Sequence, residues 1–209
     1  MKKLHILDLF AGAGGERRRP LIEQRGHELV TLDYDPAFNC TITADIMQMT
    51  PAKLGRFDLI WASPPCECFS VASIGTHWHQ ADRSPKTAAA KVALDIISHT
   101  VWLLREMSPR CGWLIENPRG MMRTLPVMSS LPRVTVTYCQ YGERNMKPTD
   151  LWGHVKGWVP RQPCRNGMPC HEAAPRGART GTQGIKGSAE RAVVPWALWD
   201  SVLTAAEGQ

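Results

Sequence analysis

No apolar stretch in the sequence approaches the roughly 18–20 residues that a membrane-spanning helix needs, which argues against a membrane protein. The opening residues, Met1-Lys2-Lys3-Leu4-His5, run straight into a strand-like segment, without the apolar centre of a secretory signal. No internal repeat is present. The cysteines lack the number and regularity of a disulfide framework: there are seven, scattered along the chain. Reduced thiols in a cytoplasm are expected. Cys40 and Cys111 read as inert. The last 18 residues contain no basic side chain, although the chain as a whole is basic.

The 209 residues carry a formal net charge of +6 and are 43% hydrophobic. That suits one globular domain with a small appendage. The charge is uneven. Residues 143–191 hold nine basic and four acidic side chains, so under a quarter of the chain carries most of the surplus. Excess positive charge in one segment points to a polyanionic partner.

Apolar runs predict buried strands at residues 4–10, 28–33, 57–62, 113–116 and 134–139. A glycine-rich turn, Ala11-Gly12-Ala13-Gly14-Gly15, follows the first. A helix through Leu21–Arg25 is expected next, with Pro20 near its start or kinking it. A longer helix is expected over Ala88–Met107 and an amphipathic one over residues 193–206, with Pro195 in its first turn. Strands alternating with helices imply an α/β fold with a mostly parallel sheet. From about residue 143 to 190 periodicity fails, and irregular structure with short strands is expected. The organisation read from these patterns is residues 1–142 as a catalytic domain, 143–190 as a recognition region, and 191–209 returning as a helix.

Each predicted strand ends in polar or reactive residues, and open parallel sheets bind ligands beyond their carboxyl ends. The glycine turn allows close approach of a cofactor, and Asp33 lies about 20 residues further on, suited to ribose hydroxyls. Tyr34 is placed to lie against an adenine face. Asp45, beside Ile46, offers a second acceptor, though as a lone residue it would equally cap a helix. These residues leave a nicotinamide dinucleotide and S-adenosylmethionine (SAM) both open. Pro64-Pro65-Cys66 adds more. Two prolines fix the backbone before a cysteine at a strand end, the position of a nucleophile. Glu116-Asn117-Pro118, at the next strand end, supplies an acid that can bond a pyrimidine ring nitrogen. No step of dinucleotide chemistry accounts for Pro-Pro-Cys.

In this order the blocks resemble the C5-cytosine-specific DNA methyltransferases, and the small size resembles compact phage and prophage members. Ser63-Pro64-Pro65-Cys66-Glu67-Cys68-Phe69-Ser70 and Ile115-Glu116-Asn117-Pro118 carry the resemblance most specifically. It implies a Rossmann-like, SAM-dependent methyltransferase sheet with a small irregular basic recognition insertion, acting on double-stranded DNA in a bacterial or phage-infected cell, plausible as a monomer. By the same resemblance Phe10, Ala11, Gly12, Gly14, Asp33, Tyr34, Asp45, Ile46, Pro64 and Val193 contact SAM. Cys66, Glu116, Asn117 and Pro65 form the catalytic set. Residues 71–86, including Gly75, His77, Trp78, His79, Arg83 and Lys86, correspond to a mobile catalytic loop. Ser70, His79, Arg83, Arg144, Lys147, Thr149, Arg165, Arg176 and Arg179 are expected to meet the nucleic acid, with Arg161, Lys186 and Arg191 as further basic contacts. An RNA cytosine-5 methyltransferase and a catalytically silent DNA-binding relative are the alternatives.

Three features depart from the family pattern. Glu67 replaces the usual Gln after the cysteine, and Cys68 adds a thiol. The paired-arginine block is reduced to Glu143-Arg144-Asn145-Met146-Lys147-Pro148-Thr149, so the contact to cytosine O2 falls to Arg144, Lys147 or Thr149. Separately, Cys164, Cys170 and His171 lie in a segment with little core, and a zinc ion would hold it, with Cys139 or His154 as a further ligand.

Overall fold

The computed structural model describes residues 2–185, 187 and 191–209. Continuous β-branched and leucine-rich runs build the centre of one sheet. Its strands are β1 (His5–Leu9), β2 (Glu28–Asp33), β3 (Ile42–Thr43), β4 (Leu59–Ala62), β5 (Gly112–Pro118), β6 (Arg133–Thr137) and β7 (Pro148–Val155). They lie in the order β3-β2-β1-β4-β5-β7-β6. The pairs from β3 through β5 are parallel, and β7 runs antiparallel to both neighbours. All strands except β7 therefore point the same way, and their carboxyl ends share one edge.

Side-chain alternation divides the core into two layers. Leu7, Leu9, Ile60, Ala62 and Ile115 face one layer, with Ile97, Val101 and Leu104 of the long helix α4 (Ala88–Met107). Ile6, Leu59, Trp61 and Leu114 face the other, with Ile22 of α1 (Gly12–Gln24) and Leu198, Trp199 and Val202 of the C-terminal helix. Two short helices, α2 (Pro51–Leu54) and α3 (Ile74–His77), lie in the connections, and α5 (Trp196–Glu207) ends the chain. Thr87 caps α4 by accepting from the Ala90 amide at 3.2 Å. Arg25 and His27 bind Glu207, and Trp199 packs on Trp61 with ring centroids 4.7 Å apart, which docks α5 against the sheet.

Three expectations change. The glycine turn is largely the first turn of α1, which continues through Pro20 to Gln24. Phe10 and Gly12 make the reversal with φ of 59° and 50°. A β-carbon on Gly15 would approach Ala11 Cβ to 2.6 Å and Thr31 Cγ2 to 3.0 Å, so glycine lets the helix close on β2. Residues 143–190 are not irregular throughout. Pro148–Val155 forms β7, inside the sheet, because its polar Asp150 is neutralised there by Arg123 and accepts from Thr135 Oγ1 at 2.7 Å. The last helix begins at Trp196, with Pro195 as an extended N-cap. Within residues 71–86, Trp78 is fully buried, stacks on Phe69, and donates from its indole to the Cys68 carbonyl at 2.6 Å. No helix among the described residues is long and apolar enough to cross a membrane.

Candidate active site

At the carboxyl edge, β1, β2, β4, β5 and β6 deliver the strand-end residues side by side. The β1–α1 reversal carries Ala11 and Gly12. The Gly12 amide donates to Asp33 Oδ2 at 3.0 Å, and the Asp35 amide donates to Asp33 Oδ1 at 3.1 Å. Each carboxylate oxygen keeps capacity for a further bond. Tyr34 beside it is 72% exposed, leaving an aromatic face open. Asp45 accepts from the Met47 amide at 2.9 Å and caps a short 3-10 turn that buries Ile46. Its cap role and an adenine contact use different lone pairs.

The arginines after the turn discriminate between the two cofactors left open by the glycines. Arg18 is buried against Asp8, and its guanidinium lies 5.0 Å from the Trp199 ring. Arg19 is occupied by Glu16 and the Leu29 carbonyl. Of the three arginines only the exposed Arg17 is left free of an ion pair, while three carboxylates, Asp33, Asp35 and Asp45, lie at and just beyond the ends of β2 and β3. That donor set fits SAM, whose sulfonium and ammonium are cationic.

Cys66 follows β4 and Glu116 lies near the end of β5, the adjacent parallel strand. Their loops are tied together: Asn117 Nδ2 donates to the Pro64 carbonyl at 2.9 Å in a buried bond. Asn117 Oδ1 is buried without a partner among the described residues. Pro64 is buried and Pro65 exposed, so the diproline step passes from core to cleft at the cysteine. Burial pushes the Cys66 thiol up to about 11, with the Glu67 and Glu116 charges adding to the rise and Lys147 opposing it. The resting thiol is therefore protonated at neutral pH.

Glu116 is buried, and Tyr138 donates to its Oε1 at 2.8 Å. Burial first, then the adjacent Glu116 charge, holds the Tyr138 hydroxyl well above its ordinary range, so it remains a donor. The sequence motifs do not mark Tyr138; its place directly after β6 is the signal that points to it.

Lys147 reaches the same edge because β7 runs antiparallel, which puts the start of β7 beside the ends of β5 and β6. Its Nζ donates to the Arg191 carbonyl at 2.6 Å and lies 4.4 Å from the Tyr138 ring centroid. Burial lowers its pKa, opposed by the charges of Glu116 and Cys66. The other two candidates for the O2 contact are placed differently. Thr149 is fully buried and donates to the Lys147 carbonyl at 3.1 Å. Arg144 is exposed and paired with Glu172 at 2.8 Å.

A cleft of about 410 Å³ separates this corner from the basic segment, lined by Tyr138, Lys147, Glu143, Pro175, Ile185 and Val193 among others. Arg165, Arg176 and Arg179 are exposed and form no ion pair among the described residues. Arg161 instead donates to the Gln140 carbonyl at 2.5 Å and covers Tyr141, and Arg191 donates to the Ile185 carbonyl. Lys186 lies outside the described residues. Ser70 bridges to Gly120 and bonds Ser73 at 3.0 Å, while His79 and Arg83 are exposed, Arg83 with φ of 61°. Cys139, Cys164, Cys170 and His171 converge, their ligand atoms all within 4.8 Å of one another. His154 is not in that cluster. Cys40 is half-buried and Cys111 buried.

The strand order and the cleft at the parallel edge define a Rossmann-like methyltransferase fold. A methyltransferase of Entamoeba histolytica, EhMeth, superposes with a TM-score of 0.53 at 11% identity, over 77% of this chain and 56% of that one. The chain thus spans little more than half of that structure's length. The Dnmt2 methyltransferase of S. pombe gives a TM-score of 0.47 at 16% identity, over 73% of this chain and 49% of that one. In sequence, the chain is 28% identical over 169 residues to a probable DNA (cytosine-5)-methyltransferase of Frog virus 3 (isolate Goorha), covering 76% of this chain and 74% of that protein. No protein-family model matches the chain. The resemblance to the C5-cytosine methyltransferases thus extends over most of the sequence and includes a viral relative.

Proposed function

We propose that the chain is a SAM-dependent DNA (cytosine-5)-methyltransferase with Cys66 as its nucleophile. The observation that carries this reading is the pairing of a strand-end cysteine with a buried, tyrosine-bonded glutamate one strand away. Phe10, Ala11, Gly12, Gly14, Asp33, Tyr34, Asp45, Ile46, Pro64 and Val193 would hold SAM. When bound, SAM supplies a methyl group made electrophilic by its sulfonium.

Cytosine C5 is a poor nucleophile. Cys66 gives its proton through solvent to the Glu116 carboxylate, and the thiolate adds to C6, forming a C–S bond and moving the C5–C6 π pair toward C5. Glu116, now a carboxylic acid, donates a hydrogen bond at N3 as negative charge develops on the ring. Lys147 is the cation next to this pair and takes the contact to O2. Asn117 holds the two loops at the spacing that addition needs. Once C5 carries the methyl group, loss of the C5 proton to water rebuilds the double bond and expels Cys66. The base must leave the duplex first, at about a few kcal/mol. Ser70, His79 and Arg83 border the catalytic side, and Arg165, Arg176 and Arg179 supply phosphate or base contacts. A recognition region this small reads a few base pairs.

The test uses tritiated SAM with duplex DNA and, in parallel, RNA of the same sequence. Transfer to DNA is expected. Transfer confined to RNA overturns the DNA assignment while keeping the chemistry. A duplex with 5-fluorocytosine in the target site should trap a covalent complex, because fluorine leaves no C5 proton to lose. Peptide mapping should place the adduct at Cys66.

A further inference from the structure

The segment after β7 presents a physical problem. Between Lys156 and Gly187 no described residue is buried, and Val159 is 84% exposed. A segment of this length with no core of its own needs another source of order. Polar contacts tie it to the end of β6. The Cys164 amide donates to Thr137 Oγ1 at 2.8 Å, the Arg161 amide to Tyr141 Oη at 2.9 Å, and the Glu172 amide to the Arg144 carbonyl at 2.7 Å. Between these ties lie three sulfurs and an imidazole.

We propose that Cys139, Cys164, Cys170 and His171 form a structural zinc site that clamps the basic segment to the catalytic sheet. Tetrahedral zinc with sulfur ligands at about 2.3 Å and a nitrogen at about 2.0 Å requires S···S edges of roughly 3.8 Å and S···N edges of roughly 3.5 Å. Cys139 and Cys170 sulfurs are 3.9 Å apart, and His171 Nδ1 is 3.4 Å from Cys164 Sγ and 3.7 Å from Cys170 Sγ. The Cys164–Cys170 separation of 2.9 Å is too long for a disulfide and shorter than a zinc edge, so these two sulfurs part on binding. Gln140 Nε2 donates to Cys170 Sγ at 3.6 Å, a second-layer bond of the kind that steadies a metal-bound thiolate. Three thiolates and one imidazole close the tetrahedron, leaving no position for a reacting water. Each thiol loses its proton to solvent as the metal enters.

The site bridges two parts of the chain. Cys139 follows Tyr138, the donor to Glu116, while the other three ligands belong to the segment carrying Arg165, Arg176 and Arg179. The metal thus fixes the basic segment relative to the catalytic carboxylate. This inference stands independently of the reaction assigned above.

Protein purified under reducing, chelator-free conditions should contain about one zinc per chain by mass spectrometry of the metal, as a closed four-ligand site binds it tightly. Cys164→Ser and Cys170→Ser should lose most of it, and Cys40→Ser should keep it. Replacement by cobalt in the wild-type protein should give the visible bands of tetrahedral Co(II) with sulfur charge transfer in the near ultraviolet. Chelation should open residues 156–185 to protease while sparing the sheet. Wild-type protein with neither bound zinc nor that cobalt spectrum overturns the site, as does a Cys164–Cys170 disulfide in the unreduced protein. Zinc whose removal leaves the cleavage pattern unchanged overturns the clamp.

Discussion

Burial, and after it two carboxylates set against one ammonium, decides the resting state of Cys66. With the thiol pushed up to about 11, its alkylation by iodoacetamide should rise about tenfold per pH unit above neutrality and level off only near that value. Glu67→Gln removes one of the opposing charges. It should lower the midpoint and speed alkylation at pH 8 several-fold, read by peptide mass at Cys66; an unchanged profile would leave the shift to burial and Glu116. Tyr138 acts on the other partner. Tyr138→Phe leaves a buried carboxylate oxygen without its donor, at a cost of about 1–3 kcal/mol. If the bond aligns Glu116 in the transition state, kcat falls roughly tenfold to a hundredfold while KM for SAM holds. A fall in thermal stability with kcat intact would make Tyr138 purely structural.

At the scale of elements, the parallel strands and the two flanking layers were legible because they are apolar, short and separated by turn residues. The strand ends could therefore be placed from sequence, and with them Cys66, Glu116 and Asp33. β7 was not legible. It opens with Pro148, carries Asp150 and Gly153, and shows no strand period; Arg123 and Thr135, both distant in sequence, make its buried aspartate tolerable. The position of Lys147 depended on that strand and was hidden with it. In the 71–86 connection the burial of Trp78 was not legible either, because it depends on Phe69 and the Cys68 carbonyl rather than on any local pattern. Trp78→Ala should cost about 3–5 kcal/mol in chemical denaturation. It should also release the connection to protease. A cost below about 1 kcal/mol would mean that the loop is held by its ends alone.

For the whole molecule, the uneven charge takes on a spatial meaning. The acidic residues Asp33, Asp35 and Asp45 lie at the ends of β2 and β3, and the exposed arginines Arg165, Arg176 and Arg179 lie in the basic segment. Replacing Arg165, Arg176 and Arg179 together by Gln should weaken duplex binding. It should also reduce the slope of log affinity against log salt by about 0.9 for each phosphate that is no longer neutralised. An unchanged slope would move the nucleic acid to another face. The Cys164, Cys170 and His171 group was legible as a candidate metal site, with Cys139 or His154 left open as the fourth member; the fold brings Cys139 to it and leaves His154 out. The proposed chemistry rests finally on one sulfur. The most direct measurement is methyl transfer from labelled SAM to duplex DNA by wild-type and Cys66→Ala protein of equal thermal stability. The account predicts labelled cytosine with the wild type and none above background with the variant; transfer that persists in Cys66→Ala would contradict it.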